Sequence, residues 1–280
     1  MTQNTNPLAD FYRNPKIYLA LPSGTGYYTD DIVEMPDVGE LPIYPMTAKD
    51  DLLTKNPDAL LNGDAVIKLV KSCVPAVKKP AELLAPDMEA VLIAIRSASS
   101  KNKFMEVNRN CEKCGEPNVA NLDLSVQLAT AQEVTPLKEI TLSNGLECVL
   151  SPTNYIHTVQ GAKAIIEQNR NFRSINTENN DEQLKALGEA FEKLSTMNYE
   201  VILKSIRSIS VPNGDTVSDP VLISEFLENV ERDIGIELND AVSKINNGGV
   251  SKSIQMQCEK CEHVFETPIN YDPVGFFLNS

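Results

Sequence analysis

Tryptophan is absent from this 280-residue chain, and histidine occurs only twice, at His157 and His263. Histidine is the commonest general acid or base near neutral pH, so its scarcity weakens an enzymatic reading. No Walker-type loop, G-x-S-x-G, H-E-x-x-H or dinucleotide fingerprint is present, and Gly24-Thr25-Gly26 reads as a turn. No positioned pair of carboxylates stands out either. Bases are also few: 25 Lys and Arg against 39 Asp and Glu leave a net charge of -14. Affinity for a phosphate backbone needs clustered cations, so this balance argues against nucleic acid as a partner. No apolar run approaches the roughly 20 residues of a membrane helix. The longest, Ala90 to Ile95, reads as buried helix. Met1 to Asp10 has neither a basic start nor an apolar stretch, so no cleaved secretory signal is expected and the chain is expected to be made in a reducing cytoplasm. What remains is ordinary globular composition, 42% hydrophobic and 23% charged, with length enough to bury a core.

The six cysteines carry the strongest signal. Four form two identical tetrapeptides, Cys111-Glu112-Lys113-Cys114 and Cys258-Glu259-Lys260-Cys261. Two residues between cysteines is knuckle spacing: both thiolates reach one metal at about 2.3 Å. Alternating Phe104 to Arg109 precedes the first knuckle and Ser253 to Gln257 the second. Extended stretches, Asn118 to Leu124 and His263 to Tyr271, follow them. Strand, knuckle and strand, twice, predicts a zinc ribbon holding one structural Zn2+ on Cys111, Cys114, Cys258 and Cys261. The ribbon is split, because residues 115–257 separate its halves. A thioredoxin-like motif needs a single C-x-x-C at a helix start and fits poorly. Structural disulfides are disfavoured in a reducing compartment. A catalytic zinc wants an open position, which four thiolates do not leave. His263 could replace a sulfur but reads better as a residue of the following strand. Cys73 ends an apolar helix and Cys148 alternates with Leu146 and Leu150, so both read as small buried hydrophobes.

The pattern predicts an α+β chain. An N-terminal β arm spans 1–46 and holds most of the tyrosines. It is interrupted by Pro36 and Pro42 and reads as burying little apolar area by itself. A helical bundle follows over 47–103. Thr47 with Asp50 makes a near-capping-box start. Asn56-Pro57 opens a helix with apolar residues from Leu60 to Val70, which Pro75 ends, and Pro86-Asp87 opens another. The split ribbon occupies 104–125 and 250–275. A β-hairpin and helical domain, 134–249, is inserted between its halves. Its hairpin turns at Ser143-Asn144-Gly145, the strongest local hairpin signal. Helices are predicted over Thr158 to Asn169, Asp181 to Ile209, from Pro220 onward, and over Asp240 to Asn246.

Several ordered motifs resemble the T4-type bacteriophage baseplate proteins, the family that includes baseplate hub subunits and hub-assembly proteins of contractile-tailed phages. They are Leu21-Pro22-Ser23-Gly24 with Tyr27-Tyr28; Tyr44-Pro45-Met46-Thr47-Ala48-Lys49-Asp50-Asp51; Asn56-Pro57-Asp58-Ala59-Leu60-Leu61-Asn62-Gly63 with Ile67 to Pro75; Pro86-Asp87-Met88-Glu89-Ala90 with Leu92 to Arg96; and the first knuckle with Gly115. The resemblance covers roughly residues 15–155 well and the rest of the chain only in general plan. It implies a non-enzymatic structural or assembly role in the tail baseplate. The implied partners are other phage baseplate and tail proteins in a hetero-oligomeric assembly, and the implied location is the virion. No nucleic-acid or membrane partner is expected. A zinc-ribbon nucleic-acid-binding or transcription-related protein is the alternative. It would want bases and aromatics around the knuckles, where Glu112, Glu116, Glu259, Glu262 and Glu266 stand instead.

Overall fold

Thr47 starts the first regular helix because its hydroxyl accepts from Asp50 N–H while the Asp50 carboxylate accepts from Thr47 N–H, a complete capping box. The computed structural model describes residues 6, 8–100, 102–161, 163, 188, 195–212, 214–269, 271 and 273–278. The chain is α+β, and its described strands form several small antiparallel sheets. Of the helices expected over 158–169 and 181–209, residues 162, 164–169, 181–187 and 189–194 lie outside the described residues.

Strands β1 (Ile17–Leu19) and β2 (Leu41–Ile43) pair with each other. Helices α1 (Ala48–Thr54), α2 (Pro57–Leu61), α3 (Asp64–Cys73) and α4 (Ala85–Ser99) follow. Alternation turns Leu19, Leu41 and Ile43 inward, where they share one apolar cluster with Leu69, Val70, Ile93 and Ile95. The N-terminal segment therefore helps to form the main core, whereas its proline-broken sequence suggested a segment with little to bury. The pattern predicts a single helix from Pro57 until Pro75 ends it. The structure breaks it at Gly63, whose φ of 77° is left-handed. A Cβ there would lie 3.1 Å from a Val159 methyl, so the break also makes room for a neighbouring element.

Two polar clusters, one buried and one part-buried, fasten this core. Asp87 is fully buried on α4 and accepts from Ser23 N–H at 2.9 Å and from the Tyr28 hydroxyl. The Tyr28 hydroxyl accepts in turn from Leu84 N–H. Burial raises the Asp87 carboxyl above its ordinary range, and burial first, then Asp87, raises the Tyr28 phenol. The Arg13 guanidinium donates to Pro45 O, Asp50 Oδ2, Ser72 O and Ser72 Oγ.

After the bundle come the antiparallel hairpin β3 (Phe104–Asn110) and β4 (Pro117–Asp123) and the short helix α5 (Leu124–Ala129). Strands β5 (Lys138–Thr141), β6 (Glu147–Leu150), β7 (Ile206–Ser210) and β8 (Thr216–Val217) form a four-stranded sheet in sequence order. Helices α6 (Pro220–Asn229) and α7 (Arg232–Asn246) cover it. Leu150, Ile209, Ile223, Leu238 and Val242 make a second cluster there. The chain closes with hairpin β9 (Ser253–Gln257) and β10 (Val264–Pro268), then α8 (Pro273–Leu278).

Two helix limits differ from expectation. The helix expected to run to Ile209 stops at residue 205, and Ile206–Ser210 pairs with β6. The register shifts between Val149 and Leu150, so Arg207 bulges out and Ile206 and Ile209 both turn inward. That three-residue spacing imitates a helix but here belongs to a bulged strand. The helix expected at 240–246 begins at Arg232, because Ile234, Leu238, Val242 and Ile245 form one buried stripe. No helix among the described residues is long and apolar enough to cross a membrane.

Candidate metal centre

The two knuckles sit at the tips of β3–β4 and β9–β10, and their backbones are built alike. Cys111 N–H donates to Glu116 O at 2.8 Å, and Gly115 N–H donates to Cys111 O at 2.9 Å. At the same places, Cys258 N–H donates to His263 O at 2.9 Å and Glu262 N–H to Cys258 O at 2.9 Å. Each turn needs a left-handed residue after its second cysteine; Gly115 and Glu262 supply it.

The fold brings the four knuckle sulfurs together, all within 4.8 Å of one another. Cys111 Sγ lies 3.7 Å from Cys261 Sγ, and Cys114 Sγ lies 3.6 Å from Cys258 Sγ. Four sulfurs at about 2.3 Å from a tetrahedral zinc stand about 3.8 Å apart, so these two contacts match the spacing of a four-thiolate metal site and the remaining pairs lie within 4.8 Å. Cys111 and Cys258 are buried, Cys261 is half-buried and Cys114 is exposed. An apolar group of Cys111, Met256, Cys258 and Phe265 underlies them.

Cys258 and Cys114 are shifted in opposite directions. Burial opposes the Cys258 thiolate, but backbone N–H groups of Cys261 and Lys260 and the neighbouring thiols bring that thiol down to about 6. A backbone N–H at Glu116 favours the Cys114 thiolate, yet desolvation and the other three thiols push it up to about 12. Cys258 thus ionises before Cys114, whose proton a bound metal would displace.

The remaining candidates fall outside this cluster. His263 stacks on Phe265, with ring centroids 6.1 Å apart, and is not among the clustered ligand groups. Cys73 and Cys148 are buried, at the end of α3 and in β6, and burial raises each thiol to about 11. His157 lies on a separate helical segment at 155–161. Burial, then Lys204 and Arg207, lower its pKa.

Asn118 is the residue that the sequence did not single out. It belongs to β4 and is buried, yet its carboxamide reaches the other knuckle. Nδ2 donates to Glu116 O at 2.7 Å and approaches Cys258 Sγ at 3.7 Å, while Oδ1 accepts from Glu259 N–H at 3.1 Å. No spacing rule marks this asparagine; it turns inward because it shares a strand face with Ala120 and Leu122, which pack against the apolar clusters. At the rim, Lys260 and Glu116 form an exposed cross-knuckle ion pair at 2.7 Å.

The family model described as T4 bacteriophage base plate protein matches residues 29–278, well past the stretch that holds most of the ordered motifs. No curated protein and no solved structure matches the chain.

Proposed function

The chain belongs to the T4 bacteriophage base plate protein family, and from that premise we propose that it serves the hub region of a contractile-tail baseplate, as a structural component or an assembly factor. The family match over nearly the whole chain carries this reading. It works through contacts with other baseplate and tail proteins in a hetero-oligomeric assembly and not through catalysis. It is made in the host cytoplasm and resides in the virion tail.

The same reading assigns one structural Zn2+ to Cys111, Cys114, Cys258 and Cys261. Closed four-thiolate sites contribute folding free energy and leave no position for substrate. The metal would clamp the halves of a split ribbon, 104–125 and 250–275, at the base of the insertion 134–249. The N-terminal segment 1–46 and the bundle 47–103 form the body to which that insertion is tied. A separate apolar cluster in the insertion supports this division.

The experiment has two arms. Mass spectrometry of purified particles, with a deletion of the gene, should find the protein beside hub proteins and defective tails without it. Normal tails without it would overturn the baseplate reading. Metal analysis of protein purified without chelator should find about one zinc per chain; folded protein with none would overturn the zinc assignment. Tight DNA binding that weakens steeply with salt would instead favour the nucleic-acid reading.

A further inference from the structure

The two knuckles are sequence copies, but their surroundings are not. Seven residues after the first cysteine of each knuckle stand Asn118 in one and Phe265 in the other. Phe265 joins the apolar group beneath the sulfurs. Asn118 instead crosses to the opposite knuckle with both ends of its carboxamide. The chemistry fixes its orientation: Nδ2 faces two acceptors, Glu116 O and Cys258 Sγ, and Oδ1 faces a donor, Glu259 N–H. A flipped amide would set donor against donor and acceptor against acceptor.

We propose that Asn118 is the positioning residue that holds the second knuckle in register with the first and so sets how tightly the four thiolates retain their metal. The proposal rests on the zinc reading above. Hairpins distant in sequence must find each other before four sulfurs can converge. Asn118 supplies polar links from β4 to the Cys258 loop, which do not need the metal. Its N–H also stabilises a thiolate at Cys258, as groups hydrogen-bonded to ligands commonly do. The Lys260–Glu116 pair crosses the same gap, but both side chains are solvent-exposed, so it contributes little.

The test compares the full-length wild type with Asn118→Ala, Asn118→Asp and Lys260→Ala. Zinc affinity is read by chelator competition, and Co2+ loading reports the thiolate-to-metal absorption band. Asn118→Ala should lose about 10–100-fold in affinity and shift the band. Asn118→Asp fills the same space and keeps the acceptor for Glu259 N–H, but it replaces the donor to sulfur with a carboxylate. It should lose at least as much. Lys260→Ala removes only an exposed charge near Cys114 and Cys258 and should cost clearly less affinity than Asn118→Ala; an equal loss would overturn the role given to Asn118. Wild-type affinity and an unshifted band in Asn118→Ala would overturn the proposal while leaving the zinc site standing. Wild-type affinity in Asn118→Asp would overturn the sulfur contact. A wild type that takes up neither metal would overturn the zinc reading, and this proposal with it.

Discussion

Gly115 and Glu262 occupy the same position in the two knuckles, directly after the second cysteine, and both have left-handed backbone, with φ of 74° and 56°. Glu262 is the one non-glycine residue with positive φ among the described residues. The knuckle geometry therefore imposes on a glutamate what is ordinarily left to glycine.

Glu262→Gly should relieve that strain. An L-residue in the left-handed region loses about 1–2 kcal/mol, part of which glycine's greater unfolded-state freedom takes back. The expected net gain is about 0.5 kcal/mol. Gly115→Ala should destabilise by about 1 kcal/mol, and for backbone reasons alone, since a Cβ there meets nothing within 4 Å. Denaturant titration of the metal-loaded protein measures both; a more stable Gly115→Ala would refute the account.

Cysteine substitutions should separate ligand from filler. Cys258→Ser removes a sulfur from the cluster and should abolish stoichiometric metal uptake, with loss of hydrogen-exchange protection in both hairpins. Cys73→Ser leaves the cluster untouched, so metal content should hold even if the buried site loses stability. Equal metal loss in both variants would contradict the assignment.

Asp87 should make stability depend on pH. Its folded pKa is raised from an ordinary 3.8 by burial. Between the ordinary and the raised value the folded chain binds more protons than the unfolded one. This group's contribution therefore makes stability fall as pH rises through that interval, and grow as pH falls. The carboxamide of an Asp87→Asn variant cannot titrate, so the slope assigned to this group should vanish. The amide would also face the Tyr28 hydroxyl with the wrong polarity, for a loss of about 1–3 kcal/mol. Denaturation curves at several pH values test both; an unchanged slope would discount the titration.

Truncation of the N-terminal segment should unfold the protein, because that segment is part of the main core. Removing residues 1–28 takes Leu19 and Leu21 from the main core and Tyr28 from Asp87. It also takes Arg13 from Asp50 and Ser72. The double variant Phe11→Ser with Tyr18→Ser changes only exposed rings, 84% and 59% accessible, and should stay within about 0.5 kcal/mol of the wild type. A soluble, cooperatively folding truncation would show that the segment is dispensable to the core. The surface variant then asks the functional question cleanly: folded protein with failed tail assembly would place docking on these rings.

Where a single local rule governs, the residues announced their structure. Thr47 and Asp50 close a capping box, Pro57 opens α2, and Gly145 turns the β5–β6 hairpin with φ of 86°. Cys73 and Cys148 are the buried hydrophobes that their patterns suggested. Where two rules compete, local spacing alone misleads. Ile206 and Ile209 keep helical spacing in a strand because a bulge absorbs the extra residue. Gly63 interrupts a continuous apolar stripe because Val159 packs against it from far along the chain.

The sequence by itself determined which atoms can bind a metal. Two C-x-x-C tetrapeptides place pairs of thiolates within one ion's reach, and that spacing is a local property of the chain. Only the tertiary structure decided that the pairs meet, because residues 115–257 lie between them and no local rule spans that distance. It alone turned Asn118 toward Cys258, a contact set by hairpin register and the packing of two sheets. It also drew the N-terminal strands into the core, since burial depends on what the rest of the chain presents to them.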